Sequence, residues 1–109
     1  MELNEYQKLA MITKKKWDNK DAELIDSALG LCGESGEVAD IIKKHLAGSK
    51  EMNLDDLKKE LGDVLWYLAE TCDYLNISLD EIAKLNIEKL KKRHGDKFSG
   101  YGDRSDENK

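Results

Sequence analysis

The sequence predicts an all-α protein, and three observations carry that expectation. There is no proline among its 109 residues, so the strongest helix breaker is missing. Charged residues make up 38% of the chain and apolar residues 39%, with only 6% aromatic, a balance that suits amphipathic helices. Apolar side chains also recur at steps of three and four in four successive segments separated by glycine or short polar stretches. At this length one domain is expected, over residues 1–98, followed by a flexible polar tail over 99–109.

The first helix is expected from about Leu3 to Trp17, with Asn4 and Gln7 at capping-box spacing and Leu3, Tyr6, Ala10 and Trp17 along one face. Lys14, Lys15 and Lys16 would load its last turn, where cations complement the helix dipole. After the polar stretch Asp18 to Asp21, a long second helix carries Leu24, Ala28, Leu31, Cys32, Val38, Ala39, Ile42 and Leu46 and stops at Gly48. Gly30, Gly33 and Gly36 lie inside it, each costing roughly 1 kcal/mol of helix propensity relative to alanine. Either a neighbouring helix packs closely over them or they keep space clear beside the adjacent glutamates. Asn53 caps a third helix running to about Tyr74. Its stripe of Leu54, Leu57, Leu61, Val64, Leu68, Cys72 and Leu75 is the seam of a helix packed along its whole length in a bundle. Ser78 and Glu81 open a fourth helix that carries Ile82, Leu85 and Leu90 and closes at Lys91, Lys92, Arg93 and His94 before Gly95.

Composition excludes several classes of function. The formal charge of −5 and sequence pI near 5.1 argue against a footprint for polymeric DNA or RNA. No apolar run approaches the roughly 20 residues needed to span a bilayer, and the acidic start Met1-Glu2-Leu3-Asn4-Glu5 lacks the basic and apolar regions of a signal peptide. The expected location is the cytoplasm. Cys32 and Cys72 have neither CxxC spacing nor an adjacent histidine and read as buried reduced thiols.

The chemistry is carried by acids. Glu34 and Glu37 are spaced i, i+3 on the second helix, and Glu60 and Asp63 are spaced i, i+3 on the third, so each pair projects from one side of its helix. If the two helices form an antiparallel hairpin through the loop at 48–52, both pairs lie about a dozen residues from that loop and meet. Converging carboxylates repel one another unless a cation neutralises them. Oxygen-only ligation points to magnesium, with manganese as the alternative. A di-iron bundle would need Glu-x-x-His pairs, and the residues three before His45 and His94 are Ile42 and Lys91. The same spacing also arises on solvated helix faces in a chain holding 23 acidic residues.

The stretch Gly30-Leu31-Cys32-Gly33-Glu34-Ser35-Gly36-Glu37-Val38-Ala39-Asp40, followed by Lys59-Glu60-Leu61-Gly62-Asp63-Val64-Leu65-Trp66-Tyr67-Leu68, resembles the MazG-type nucleotide pyrophosphohydrolases. Their pattern is EExxE, a variable spacer, then ExxD, and Gly33 stands here in place of the first glutamate. The resemblance, from about Leu29 to Gly95, implies a four-helix bundle-like fold completed by dimerisation, in some members by tetramers. It implies magnesium held by Glu34, Glu37, Glu60 and Asp63, one of them also orienting the attacking water. The implied reaction cleaves a small-molecule nucleoside triphosphate between the α and β phosphates, giving a monophosphate and pyrophosphate.

Asn86, Lys89 and Arg93 fit the family's N-x-x-K-L-x-x-R pattern, which implies phosphate contacts from Lys89 and Arg93 and a sugar or base contact from Asn86. The plainer reading of the cations is that they complement a helix C-terminus. Tyr67 continues the Glu60 and Asp63 face by one turn as a candidate phosphate or sugar contact. Trp17 and Trp66 are candidate base-stacking residues, although either also suits packing. The competing readings are a non-catalytic helical dimerisation module with solvated acids, and a dUTPase-like or phosphoribosyl-ATP pyrophosphohydrolase variant.

Overall fold

The computed structural model describes residues 1–48 and 51–99. Its four main helices are α1 (Leu3–Met11), α2 (Lys20–Leu46), α3 (Leu54–Tyr74) and α4 (Leu79–Arg93). A further helical turn occupies 95–99, and the described residues contain no strand. The fold is therefore all-helical, as expected. Apart from Ser99, the expected tail lies outside the described residues.

The chain forms two compact units, one from Met1 to Leu79 and one from Asp80 onward. In the first, α2 and α3 pack as an antiparallel hairpin and α1 packs on α3. Their starts follow from the sequence. Asn19 accepts the Asp21 amide at 2.8 Å and Asn53 accepts the Asp56 amide at 3.1 Å, each satisfying one orphan donor of a helix N-terminus. Ala47 still bonds back to Lys43, and Gly48 takes φ +75°, the left-handed stop that glycine adopts without a Cβ penalty.

Helix α1 ends six residues earlier than its periodicity suggested. Thr13 Oγ1 donates to Ala10 O at 2.7 Å, and Trp66 Nε1 donates to both Ala10 O at 3.1 Å and Thr13 Oγ1 at 2.8 Å. Those partners occupy the end of the helix and fix it against α3. Lys14 then leaves the helix line altogether, with its Nζ 2.7 Å from Glu23 Oε1 and 2.7 Å from Asp73 Oδ2. Gln7 is a tie between segments and not half of a capping box: its Nε2 donates to Ile77 O at 3.1 Å and its Oε1 accepts from the Leu79 amide at 2.8 Å.

The buried apolar core is Ala10, Ala69, Cys72 and Leu79, with Tyr6, Met11, Trp66 and Ile77 packed against it. It lies where α1 meets the C-terminal half of α3. The long α3 seam is left partly open among the described residues. Leu54, Leu61, Leu68 and Leu75, seven residues apart, are 60%, 50%, 39% and 50% exposed, because α2 takes only one side of the helix. Cys72 is buried as expected, but Cys32 is exposed, on a part of α2 turned away from α3.

Candidate metal centre

The hairpin brings acids from both helices together. Glu34 from α2 and Glu60 and Asp63 from α3 each offer a carboxylate oxygen, and these oxygens lie within 4.8 Å of one another. Glu34 and Glu60 are half-buried and Asp63 is exposed. Hydrogen bonding to Glu60 is the leading cause that raises the Glu34 carboxyl above its ordinary value, followed by burial and by the charges of Asp63, Glu60 and Glu37. Such crowding favours either a shared proton or a cation. Three carboxylate oxygens at this separation suit a hard divalent cation with its remaining positions open to phosphate or water. Glu37, one turn beyond Glu34, is exposed and stands outside that closest group, although its charge reaches Glu34.

The helical glycines divide into two kinds. A Cβ at Gly30 would meet the ring atoms of Tyr67, whereas Gly33 and Gly36 have open space. Gly30 is thus a packing glycine that seats Tyr67 on the α2 backbone. Burial chiefly raises the Tyr67 hydroxyl above its ordinary value, with Asp26, Glu34, Glu70 and Asp63 adding to it. Tyr67 therefore borders the acidic cluster, within the field of carboxylates on both helices.

Other expected site residues have local roles. Trp66 spends its indole N–H on the end of α1 and packs its ring edge-on against Tyr67, with centroids 5.0 Å apart. It is a framework residue in this geometry. Trp17 lies in the α1–α2 connection, with Lys15 Nζ 4.5 Å from its ring centroid and its own Nε1 buried without a partner among the described residues. Lys89 and Arg93 line a shallow depression on α4 with Leu85, Glu88 and Lys92. Asn86, one turn before Lys89, is exposed.

A family model for the MazG nucleotide pyrophosphohydrolase domain matches residues 23–98. The chain belongs to the MazG nucleotide pyrophosphohydrolase family. The match covers α2 from Glu23 onward together with α3 and α4, and so contains Glu34, Glu60 and Asp63. Among curated proteins, the chain is 41% identical over 69 residues to a gene 37 protein of Mycobacterium phage L5, an alignment covering 60% of each. The chain thus spans about three fifths of that relative's length. No solved structure matches it.

Reading the sequence missed one part of this MazG domain. Glu23 and Glu70 are buried, and neither oxygen of Glu70 has a hydrogen-bond donor among the described residues. The available signal was spacing: Glu70 follows Asp63 by seven residues, which returns it to the same face of α3 two turns on.

Proposed function

We propose that the protein is a magnesium-dependent nucleoside triphosphate pyrophosphohydrolase, splitting a ribo- or deoxyribonucleoside triphosphate between its α and β phosphates. The observation that carries this reading is the meeting of Glu34, Glu60 and Asp63 from two helices inside a MazG domain. Glu34, Glu60 and Asp63 hold the metal, with Glu37 completing the set or orienting the attacking water. Bound magnesium supplies charge neutralisation for the polyphosphate and Lewis acidity at phosphorus. A carboxylate near the nucleophile accepts the proton that water loses as its oxygen bonds to phosphorus and the pyrophosphate side departs. Tyr67 borders the substrate, while Asn86, Lys89 and Arg93 are proposed contacts to sugar and phosphate.

The working unit is proposed to be a homodimer in the cytoplasm. The exposed leucine row on α3 supports this, since a contiguous apolar stripe at sevenfold spacing is the pattern that a second helix covers. The decisive test is pyrophosphate release from a nucleotide panel with magnesium, comparing wild type with Glu37→Ala and Asp63→Ala. Loss of release in the variants supports the assignment. Retained release in both, or none in the wild type, sinks it in favour of a helical module with solvated acids.

A further inference from the structure

The side of α2 turned away from α3 carries a row that the described residues leave open. Ile25, Leu29, Cys32, Gly36, Ala39, Lys43 and Leu46 follow one another at steps of four and three, the spacing of a heptad seam with one lysine in it. All seven are exposed, Ile25 at 58%, Leu29 at 68% and Leu46 at 77%. Glu34 marks the opposite side, because its carboxylate meets Glu60 and Asp63 of α3. Cys32 and Gly36 lie two residues either side of it, about half a turn round a helix of 3.6 residues per turn. A Cβ at Gly33 or Gly36 would meet nothing within 4 Å. The small residues in the middle of the row let a second backbone come close, and such a contact offsets the roughly 1 kcal/mol of helix propensity that each glycine costs.

The row complements itself when a second α2 lies antiparallel on it. In the register where Cys32 meets Gly36 of the second copy, Leu29 meets Ala39 and Ile25 meets the aliphatic stem of Lys43. Bulk thus faces space at each step. Charge selects the same orientation. The first turn of α2 holds Asp21 and Glu23, and the last holds Lys43, Lys44 and His45. Antiparallel packing sets the acidic end of one copy beside the basic end of the other, whereas parallel packing sets like ends together. Asp40, the acid nearest the basic end, already holds Lys44 at 2.9 Å, which leaves Lys43 to face the second copy. Pairing on this side also leaves Glu34, Glu60 and Asp63 open, since they lie on the α3 side of the helix.

Size decides what this contact can hold. The 27 residues of α2 make a strip about 40 Å long and about 10 Å wide. Two such strips bury about 800 Å² in total, short of the roughly 1,200–2,000 Å² of a stable specific interface. One strip is therefore too small to hold two single chains. A dimer built on the α3 leucine row presents two strips, and two contacts made together bury about 1,600 Å². We infer that the outer face of α2 is a second interface, at which antiparallel α2 helices join two dimers into a tetramer. This rests on the homodimer reading of the α3 row. Each α2 contact is isologous, so a closed assembly repeats it twice, and the second contact forms within an already associated pair of dimers.

The test is sedimentation equilibrium of the whole chain over a wide range of concentration. The wild type should reach the mass of four chains and Leu29→Glu the mass of two. Ala39→Glu serves as a second variant, with a thermal melt of each to establish folding. Cys32 reports the register, because it is exposed while Cys72 is buried. The pairing brings the two copies of Cys32 within about 6 Å of each other along the axis, at 1.5 Å per residue. A short bismaleimide should therefore link wild-type chains in pairs on a denaturing gel and leave Leu29→Glu unlinked. A wild type that stays at two chains at every concentration, variants that remain at four, or equal cross-linking in wild type and Leu29→Glu overturns the inference and leaves the α3 dimer standing. A wild type of single chains removes the dimer reading and this inference together.

Discussion

Glu70 sets up a stability dependence on pH that can be worked from its surroundings. Burial first, then the charges of Asp26 and Glu23 and hydrogen bonding to Asp26, lift its carboxyl from 4.5 to about 7, with Lys14 opposing. Tyr67 and Asp73 share its helix, the latter held by Lys14. An acid whose pKa is raised on folding binds more protons folded than unfolded between those two values. Its contribution is therefore intact below pH 4.5 and is lost as pH rises through about 7. A rise of about 2.5 in pKa at ~1.4 kcal/mol each corresponds to ~3.5 kcal/mol, a large share of the ~5–15 kcal/mol that holds a domain together. Glu70→Gln keeps the shape and removes the titration. Urea unfolding at one protein concentration, at pH 5 and pH 8, should show the wild type losing about 2–3 kcal/mol more than Glu70→Gln across that interval. The raised carboxyl of Glu34 changes stability in the same direction, but it is present in both proteins and cancels. Parallel pH dependences in the two proteins would refute the reasoning, since they would mean that Glu70 titrates alike folded and unfolded.

Magnesium should raise the melting temperature of the wild type, with a gain of about 2.7 kcal/mol at a hundredfold excess over Kd, and Asp63→Ala should abolish the shift; an equal shift in the variant would place the metal elsewhere. Gly30→Ala should destabilise by roughly 1–2 kcal/mol, because displacing the Tyr67 ring outweighs the ~1 kcal/mol gained in helix propensity, whereas Gly36→Ala, with open space around it, should be neutral or stabilising in the same denaturation assay. Trp66→Phe should cost ~1–3 kcal/mol by leaving Ala10 O and Thr13 Oγ1 without their indole donor, read by urea unfolding. Leu61→Lys, at the centre of the exposed α3 row, should shift the protein toward monomer in sedimentation equilibrium, and an unchanged dimer would place the interface on another face.

The helix inventory was legible because its signals are local. Asn53 and Gly48 act within one turn of themselves, and α3 begins and ends where its cap and periodicity say. The end of α1 was not legible, since what stops that helix is Trp66, 53 residues from the Thr13 oxygen it bonds. The same holds for Gly30. Three glycines spaced three apart look equivalent in the sequence, and only the Tyr67 ring, supplied by another helix, separates the one that must be glycine from the two that have room. The exposed leucines of α3 obey the periodicity of a buried seam, but the residues that would cover them are not supplied by α1 or α2.

The acids show where local reasoning reaches and where it stops. Glu34, Glu60 and Asp63 could be proposed together because two i, i+3 pairs at matched distances from one loop have few ways to avoid meeting. Glu70 obeys a similar rule, a repeat of seven from Asp63, but repetition on a face says nothing about depth. In an isolated α3 helix Glu70 and Glu60 would both be solvated carboxylates. Packing α2 and α1 against that helix leaves Glu60 half-exposed beside Glu34 and Asp63 and takes Glu70 out of water with no N–H donor in reach among the described residues. The difference between a member of the open acidic cluster and a buried proton-binding group is thus set by the neighbours' side chains and not by the residue's own spacing. This is why Glu70→Gln, which changes hydrogen-bonding capacity and charge at nearly constant volume, separates its electrostatic role from its packing.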